Sequence, residues 1–566
     1  MKMRIRAILI GMFLLCSMAR SASGQTRPPV IFFTDIITGS NKGGENGNGV
    51  YLTIYGKGFG SARGSSSVTI GGGAPAQYKI WGQNNSKNTI LDMIVVQIGP
   101  NAATGNVVVT ANGQASNGVP FTVSAGNIYF VDPNGNDSAA GSFTAPWKTA
   151  VHAKASMQAG DTVYLHAGTY GGQDSFSASF FCDSSCSGTP TAYMNFIGYP
   201  GETAQIGDGT VQRGIYHWGS AVWAYSTIAE LTLRATDDAF TCGNAAGPAA
   251  CNFLRIIGND MRALSTGVGF DVEMTADHII VDGNESGQNC LGSSACNFDN
   301  RAYSIYFGGY GAQSNIELGW NRLHDNPFGK GLQVYGHQVG DTMTNMTIHD
   351  NLVYNNTMPG FTLGGGDPSG SGGDIKMTNI QIYNNIFYNN AYGSREAQGA
   401  VQIQNYNSRL GDYHFYNNSF YNDGVNRGGS VPKSIVEVDG VGVGSADFQD
   451  NIFYASPTDT QFYDSTTGFT GGHNLYFGIP QSNIPSFDKT SLYADPKFVN
   501  VSALNLQVVT GSPAIDAGVP TAARTDFVGI PRPQGSAFDI GAYEFVSGGS
   551  VSQPPAPPTN LRVVVQ

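Results

Sequence analysis

Residues 349–356 read HDNLVYNN, and variants of this stretch recur along the chain. YNNIFYNN occupies 383–390, YNNSFYND occupies 416–423, and QDNIFYAS begins at residue 449. Each copy places an asparagine before a short run of apolar or aromatic residues. The repetition predicts a solenoid in which each copy belongs to one coil.

The aligned asparagines are Asn259, Asn284, Asn321, Asn351, Asn385, Asn418, Asn451 and Asn474. Their spacing ranges from 23 residues (451 to 474) to 37 residues (284 to 321), which suits coils with loops of variable length. Identical amides stacked on one another can form hydrogen-bonded ladders. We therefore predict that these asparagines form turns of the fold and not a functional site.

A second motif, out of phase with the first, is a short strand with alternating side chains, as in YSIYFGG (303–309) and KGLQVYG (330–336). Aligning its copies predicts columns of side chains on one sheet, with neighbouring strands about 4.8 Å apart. The first column reads Arg213, Asp238, Val268, Tyr303, Lys330, Pro359 and Gly399. An outward-facing column reads Tyr216, Thr241, Asp271, Tyr306, Gln333, Thr362 and Gln402, and the next one reads Trp218, Gly243, Glu273, Gly308, Tyr335, Gly364 and Gln404.

The repetitive zone, residues 127–545, opens on IYFVDPNGNDSAAGSFTAPWKTAVHAKASMQAGDTVYLHAGTY. This segment resembles the entry of right-handed parallel β-helix proteins of the pectate lyase-like superfamily. The resemblance implies an all-β solenoid whose apolar end is capped by a short helix near 146–157. The zone ends on DPKFVN and DIGAYEF, which resemble the choice-of-anchor Q segment that closes many such proteins. Asp516, Asp526 and Asp539 of that segment are predicted turn and cap residues.

Residues 28–124 contain YGKGFG, VTIGG, GNVVVTANG and a closing PFTV. These motifs resemble the IPT/TIG family of immunoglobulin-like domains, which implies a β-sandwich that serves as a spacer or binding module. Residues 1–24 have a basic start and an apolar core too short to span a membrane, so we predict a signal peptide. Residues 546–566 are predicted to be a Pro/Ser-rich linker followed by the start of an incomplete fibronectin type III-like strand.

Charge and cysteines restrict the partners and the compartment. The net charge is −12, from 29 basic and 41 acidic residues, which argues against a nucleic-acid partner. No later segment is apolar enough to span a membrane. Six cysteines remain after the leader, in three close pairs that predict disulfides in an exported protein: Cys182/Cys186, Cys242/Cys251 and Cys290/Cys296. The mature protein is thus expected to be secreted, in the extracellular space, in the periplasm or at the cell surface.

Lys330 is the candidate catalytic base. Between Lys154 and Lys433 the chain has only Lys330 and Lys376, and FGKGLQVYG resembles the glycine-flanked lysine strand of pectate lyase-like enzymes. In that group a lysine or arginine removes the C5 proton of a uronate while calcium or a second cation neutralises the carboxylate. The resemblance therefore implies Lys330 as base, with Arg301 or a metal as the neutralising cation. The predicted proton donors to the leaving oxygen are Tyr303, Tyr335 and His324.

Two further sets of residues complete the predicted site. Carboxylates clustered on one face suggest an oxygen-ligated Ca²⁺ as a possible cofactor, with the ligands Asp238, Asp271, Glu273 and Asp299. Outward aromatic rings can stack on sugars while their hydroxyls form hydrogen bonds. The predicted substrate-binding residues are Tyr306, Tyr310, Gln333 and Trp218.

Three functions remain open from the sequence. The first is a lyase that cleaves an acidic, uronate-containing polysaccharide by β-elimination. The second is an inverting glycoside hydrolase of the same fold, in which Asp238, Asp271 or Glu273 act as acid and base. The third is a non-enzymatic, glycan-binding surface or adhesion protein, which the two flanking modules favour.

Overall fold

Three parallel sheets run along the solenoid, and the chain passes through the first, second and third sheet in turn before starting the next coil. The computed structural model describes residues 27–84, 88, 90–172, 174–243, 250–292, 294–297, 302–338, 340–366, 375–393, 399–405, 411–424, 434–440, 444–455 and 468–547. The predicted signal peptide and most of the predicted C-terminal tail lie outside these residues. The chain forms a parallel β-helix preceded by a β-sandwich, as the repeats and the resemblance predicted.

The first sheet contains Ile128–Val131, Thr162–Leu165, Met194–Gly198, Trp223–Ala229, Ala250–Ile257, Thr275–Asp277, Ile280–Asp282, Ala312–Gly319, Thr342–His349, Lys376–Tyr383, Asp412–Tyr416, Ser445–Gln449 and Phe469–Gly472. The second contains Gly168–Tyr170, Ala204–Ile206, Thr232–Ala235, Asp260–Ala263, Glu285–Gly287, Arg322–His324, Leu352–Tyr354, Ile386–Tyr388, Ser419–Tyr421, Ile452–Tyr454, Leu475–Phe477 and Leu492–Tyr493. The third contains Ala178–Cys182, Arg213–His217, Asp238–Gly243, Phe270–Glu273, Ile305–Gly309, Leu332–Gly336, Phe361–Gly365, Val401–Asn405 and Val436–Gly440.

The sandwich has one sheet of Val30–Thr34, Tyr51–Lys57, Asp92–Gln97 and Gln77–Asn84. Its other sheet contains Thr38–Gly39, Val119–Val123, Gly105–Ala111, Ser67–Ile70 and the short strand Gln114–Ala115. The remaining elements are the antiparallel pair Phe498–Asn500 and Asn505–Val508, the α-helix Ala150–Ser156, and the 3₁₀ helices Glu45–Gly47, Ser184–Cys186, Gln481–Asn483 and Val501–Ala503.

The α-helix Ala150–Ser156 covers the first coil, as predicted. Thr149 caps it by accepting a hydrogen bond from the His152 amide at 3.1 Å. Ala150 and Ala153 are buried against the solenoid core, with Phe180 and Phe196 beneath them. The helix thereby shields the apolar interior that a terminal coil would otherwise expose to water.

The predicted asparagine ladder is confirmed. The backbone N–H and Nδ2 of Asn351 donate to Oδ1 of Asn385 at 3.0 and 2.9 Å, and Asn385 donates in the same way to Asn418 at 2.9 and 3.0 Å. The pattern links each aligned asparagine from Asn259 to Asn474, all of them fully buried. The residue before each ladder position has a left-handed φ, for example 52° at Asp350, and Asn, Asp and Gly tolerate this conformation best. This preference accounts for the doublets DN, NN and GN.

A second amide ladder was missed by the sequence analysis. It contains Asn289, Asn326, Asn356, Asn390 and finally Asp423. The sequence does show this second ladder: an Asn or Asp stands five residues after a first-ladder asparagine at positions 356, 390 and 423. Two parallel ladders thus hold successive coils in register at both ends of the second sheet.

Asp423 ends the second ladder with a carboxyl group where the earlier coils have an amide. It is fully buried, and its Oδ1 accepts from the amide N–H and Nδ2 of Asn390, both at 2.8 Å. Within the described part of the chain its Oδ2 has no hydrogen-bond partner. Burial raises the pKa of Asp423 to about 8, although the two hydrogen bonds from Asn390 oppose the rise.

We expect Asp423→Asn to stabilise the protein increasingly as the pH rises from 4 to 8. In the unfolded chain Asp423 has its ordinary pKa of 3.8, whereas in the folded protein the raised pKa keeps it neutral up to about pH 8. Folding of the wild type therefore takes up a proton in this pH range, so its free energy of unfolding falls as the pH rises. Asparagine does not ionise, so the variant does not lose stability in this way. Thermal melts at pH 4, 6 and 8 measure the difference. A gap in melting temperature that is the same at all three values would contradict the assignment.

The three local cysteine pairs are disulfides in the structure, as predicted. The Cα–Cα distances are 5.6 Å for Cys182–Cys186, 6.5 Å for Cys242–Cys251 and 5.7 Å for Cys290–Cys296. The bridges close loops of a few residues each, so they stiffen individual coils and do not link domains.

The sandwich packs on the outer surface of the first sheet. The amide of Tyr51 donates to the Tyr164 hydroxyl at 2.7 Å, and the Arg255 guanidinium donates to the Thr34 carbonyl at 2.6 Å. Apolar residues of the sandwich share one buried cluster with Ile197 and Ile257 of this sheet. The assignment of the sandwich to the IPT/TIG family remains a prediction.

The closing segment packs along the second sheet. The Asn384 Nδ2 donates to the Thr525 carbonyl at 2.7 Å, and the Ala542 amide donates to the Ser419 hydroxyl at 3.0 Å. As predicted, its aspartates serve turns: Asp526 Oδ1 accepts from the Ile530 amide at 2.7 Å, and Asp539 Oδ1 accepts from the Asp516 amide at 2.7 Å. Its likeness to choice-of-anchor Q segments remains a prediction. The sandwich therefore packs on the first sheet, and the closing segment packs on the second.

Candidate active site

Apart from His324, the predicted site residues that the structure describes lie on or beside the third sheet. Ile305, Phe307, Leu332 and Val334 point into the solenoid core, so the side chains between them point outward. The register pairs Asp271 with Tyr306, Tyr306 with Gln333, Gln333 with Thr362 and Thr362 with Gln402. The predicted columns are therefore confirmed, including the placement of Lys330 beside Tyr303 one strand earlier.

Lys330 lies immediately before its strand and is only 5% exposed. Its ammonium donates to Gln333 Oε1 at 2.9 Å and lies 5.2 Å from the centre of the Tyr303 ring. Its carbonyl accepts from the Ser304 amide at 3.1 Å and from Asn326 Nδ2 at 3.0 Å, which ties its backbone to the second ladder. Gln333 and Tyr303 thus contact the Lys330 side chain, and the preceding coil and the second ladder hold its backbone.

The glycines beside Lys330 do not open space for a substrate. A Cβ at Gly329 would lie 1.6 Å from the Ala302 carbonyl oxygen, and one at Gly331 would lie 2.7 Å from the Gly360 carbonyl oxygen. Gly329 and Gly331 are required because the coils approach each other closely at this point.

An aromatic cluster adjoins Lys330 on the same face. The Tyr306 hydroxyl is hydrogen-bonded to His337 Nε2, and the rings of Tyr310 and His337 stack with centres 5.4 Å apart. The Tyr335 ring lies 5.1 Å from His337, and its hydroxyl donates to the Gly366 carbonyl at 2.5 Å. His337 was missed by the sequence analysis, because it follows its strand and belongs to none of the aligned columns.

His324 lies on the second sheet, whereas Lys330 precedes a strand of the third, so the structure does not place His324 on the face where we predicted it to act as a proton donor. Its Nε2 contacts Glu285 Oε1 at 2.5 Å and its Nδ1 contacts Asp325 Oδ2 at 2.7 Å. Burial lowers the pKa of His324, but the Glu285 and Asp325 carboxylates outweigh it and the net shift is upward. Arg322 pairs with Glu285 at 2.6 Å on the same sheet.

The carboxylates lie on earlier coils of the third sheet. Asp271 is fully buried, Glu273 is half-buried on the same strand, and Asp238 Oδ1 accepts from the Val268 amide at 2.9 Å. Burial raises the pKa of Tyr216 to about 12; Arg213 opposes the rise and the charges of all three carboxylates add to it. The acidic groups therefore share one electrostatic environment. Arg301 and Asp299 lie outside the described residues.

The calcium site remains a prediction. Among the residues that the structure describes, no group of three or more His, Cys, Asp or Glu side chains is arranged to hold a metal ion. Ca²⁺ takes six to eight oxygens, and these come from backbone carbonyls, carboxamides and water as well as from carboxylates.

Chelation tests that prediction directly. If Asp271 ligates Ca²⁺, EDTA lowers the melting temperature of the wild type, because the cation binds only the folded chain. Asp271→Asn then melts at the same temperature with and without EDTA. Unchanged melting of the wild type in EDTA would remove calcium from the site.

Comparisons with known proteins concern the fold. No family model and no curated protein match the chain. Among solved structures, the pectate lyase Pel9A matches with a TM-score of 0.47 and 17% identity, over 74% of this chain and 97% of that one. A rhamnogalacturonan lyase matches with a TM-score of 0.39 and 13% identity, over 70% and 97%, and a glycoside hydrolase with 0.33 and 9%, over 68% and 99%. At these scores the likenesses carry no argument about activity, so the proposed function rests on the residues of the site. None of the helices in the described part of the chain is long and apolar enough to cross a membrane.

Proposed function

We propose that the protein is an exported polysaccharide lyase that cleaves an acidic, uronate-containing glycan by β-elimination at the outer face of the third sheet. The observation that carries the proposal is the position of Lys330: a nearly buried amine between Gln333 and Tyr303, on a face lined with aromatic and carboxamide side chains. The three disulfides support an oxidising compartment outside the cytoplasm.

The proposed elimination needs a base that removes a proton from the substrate and a donor that protonates the leaving oxygen. The neutral amine of Lys330 takes the proton from C5 of the uronate, and the electron pair of that C–H bond forms a double bond between C4 and C5. The bond from C4 to the glycosidic oxygen breaks, and this oxygen receives a proton. Elimination consumes no water and needs no redox partner.

Tyr303 is the proton donor that the geometry favours. Of the three donors considered from the sequence, His324 lies on another sheet, and the hydroxyl of Tyr335 donates to the Gly366 carbonyl. Tyr303 is half-buried and contacts the ammonium of Lys330 through its ring. Arg301, two residues before it, is our proposed cation for the substrate carboxylate.

Substrate access requires movement. Lys330 is 5% exposed and Tyr306 is 2% exposed, so a sugar ring reaches them only when the residues that cover this face move aside. Such opening is common where a reaction must be screened from water. Tyr306, Tyr310 and Gln333 would then contact the substrate.

The decisive test is a screen of the purified protein on pectate, alginate, glycosaminoglycans and ulvan. Only elimination creates an unsaturated uronate, which absorbs in the ultraviolet, so a rise in absorbance together with new reducing ends identifies a lyase. New reducing ends without that absorbance identify a hydrolase. Binding without cleavage of any of these glycans identifies a non-enzymatic glycan-binding protein.

One observation favours the hydrolase as the second candidate. Asp271 and Glu273 are two residues apart on one strand, which places their Cα atoms about 6.7 Å apart on the same face. The carboxyl groups of the acid and the base in inverting glycoside hydrolases are about 6.5–9.5 Å apart, a separation that two side chains projecting from these Cα atoms can reach. Asp271 is fully buried, so this reaction too would require the residues that cover the face to move aside.

A further inference from the structure

A patch of aromatic side chains lies at the N-terminal end of the third sheet, on the same outer face as Lys330. The Phe176 and Phe181 rings are 4.7 Å apart, Phe181 and Tyr216 are 6.1 Å apart, and Tyr216 and Trp218 are 5.9 Å apart. Phe176 is 59% exposed and Trp218 is 40% exposed, whereas Tyr216 is buried beneath them. We call these four residues the aromatic platform. It is open to solvent, unlike the face around Lys330.

The backbone that presents Phe176 is strained. Phe176 and Ser177 both have a left-handed φ, 53° and 59°, which is costly for a bulky side chain. Asp174 keeps the backbone in this conformation: its Oδ2 accepts hydrogen bonds from the Phe181 amide at 3.0 Å and from the Lys154 ammonium at 2.5 Å. Strained, solvent-exposed aromatic residues bring no gain in folding stability, so this arrangement points to a ligand.

Arg213 supplies a positive charge to the platform. Its guanidinium lies 4.5 Å from the centre of the Tyr216 ring, and its NH1 donates to the neutral Gln212 side chain at 3.1 Å. It forms no ion pair with any carboxylate in the described part of the chain. A cation held against the buried Tyr216 ring, with the exposed Trp218 ring next to it, suits a ligand that combines an apolar sugar face with a carboxylate.

The platform and Lys330 belong to one continuous row of strands. Arg213 pairs with Asp238, and the same register leads through Val268 and Tyr303 to Lys330. Four strand steps separate Arg213 from Lys330, a distance of about 19 Å. Several linked sugar rings laid along the solenoid axis span that distance.

We propose that the aromatic platform is a distal subsite, which binds sugar rings of an acidic polysaccharide several units away from the bond that is cleaved at Lys330. This inference rests on the proposed function for the place of cleavage, but binding at the platform can be measured without cleavage. The subsite implies a polymeric substrate, because only a long polysaccharide reaches both the aromatic platform and Lys330. The polysaccharide binds first to the exposed platform and then to the covered face around Lys330.

The test compares Trp218→Ala and Phe176→Ala with the wild type by affinity electrophoresis in gels that contain pectate, alginate, chondroitin sulfate or ulvan. We expect each substitution to weaken binding of the retained polymer about three- to tenfold, because each removes one ring from the stacking surface. Arg213→Gln should weaken binding in a salt-dependent manner. Tyr493→Ala is the matched control, since Tyr493 is 46% exposed but lies on the second sheet. Melting temperatures equal to that of the wild type exclude misfolding.

The outcomes separate this subsite from the proposed function. If elimination is found, the platform variants should raise KM for the polymer and leave kcat/KM for a disaccharide or trisaccharide unchanged. If no glycan is cleaved, weakened binding by Trp218→Ala and Phe176→Ala still supports the subsite. Binding equal to that of the wild type and of Tyr493→Ala, on every polymer that the wild type retains, would overturn it.

Discussion

Replacing Lys330 with alanine is expected to lower turnover of the polysaccharide by about 10²–10⁴-fold, the usual loss when a general base is removed. The substitution also removes the contacts with Gln333 and Tyr303. Lys330→Met therefore accompanies it, because methionine fills most of the same buried volume without an amine. Both variants should be equally inactive and should bind the polymer as the wild type does.

Lys376→Ala is the control for this experiment. Lys376 is the next lysine along the chain, but it is exposed on the first sheet, far from the proposed chemistry. It should leave turnover unchanged. Near-native turnover by Lys330→Met would mean that the amine is structural, and the Asp271/Glu273 pair would then be the better candidate.

Replacing Asn385 with alanine is expected to destabilise the solenoid by about 3–5 kcal/mol, because the change leaves several buried polar groups without partners. Asn385 Oδ1 accepts from the backbone and side chain of Asn351 at 3.0 and 2.9 Å. Its Nδ2 donates to the Ile348 carbonyl at 2.9 Å and to Asn418 Oδ1 at 3.0 Å. No water reaches these groups, so their lost hydrogen bonds are not replaced. The shift in the urea denaturation midpoint measures the effect.

An exposed amide stack provides the matched comparison. Asn379 Nδ2 donates to Asn345 Oδ1 at 2.9 Å, and Asn345 Nδ2 donates to Asn315 Oδ1 at 3.3 Å, but all three side chains are exposed. Asn345→Gly removes the middle amide, and glycine accepts the left-handed φ of 55° at this position. We expect a loss below about 1 kcal/mol, since water replaces the hydrogen bonds. Equal losses at positions 385 and 345 would show that burial does not strengthen the ladder.

Much of the solenoid could be predicted because its signals repeat. The asparagine motif occurs once per coil, and a single misplaced copy would have broken the alignment, so the ladder and the columns through Lys330 and Tyr306 emerged in the correct register. The second ladder was missed because only one asparagine of each YNN-type stretch was aligned. The repeated motif therefore also predicts the second ladder, once the asparagine five residues later is aligned.

The site was harder to predict because it depends on the bends between sheets. His324 is six residues from Lys330 in sequence, but the chain turns from the second sheet to the third between them, so the two side chains lie on different faces. Gly329 and Gly331 look like an open approach in the sequence, yet the neighbouring coil occupies that space. Packing between coils distant in sequence decides both cases, and no local pattern reports it.

The two amide ladders also determine how the molecule should respond to mechanical force. Their hydrogen bonds run along the solenoid axis and join each coil only to its neighbours, at sequence separations of 23 to 37 residues in the first ladder. Tension between the ends of the solenoid would load these bonds one after another, so a terminal coil should peel away before the next one yields. Extension would then proceed in steps of one coil, with each step releasing the length of chain between consecutive asparagines. A protein built in this way could lose an outer coil under shear and still keep the coils around Lys330 folded.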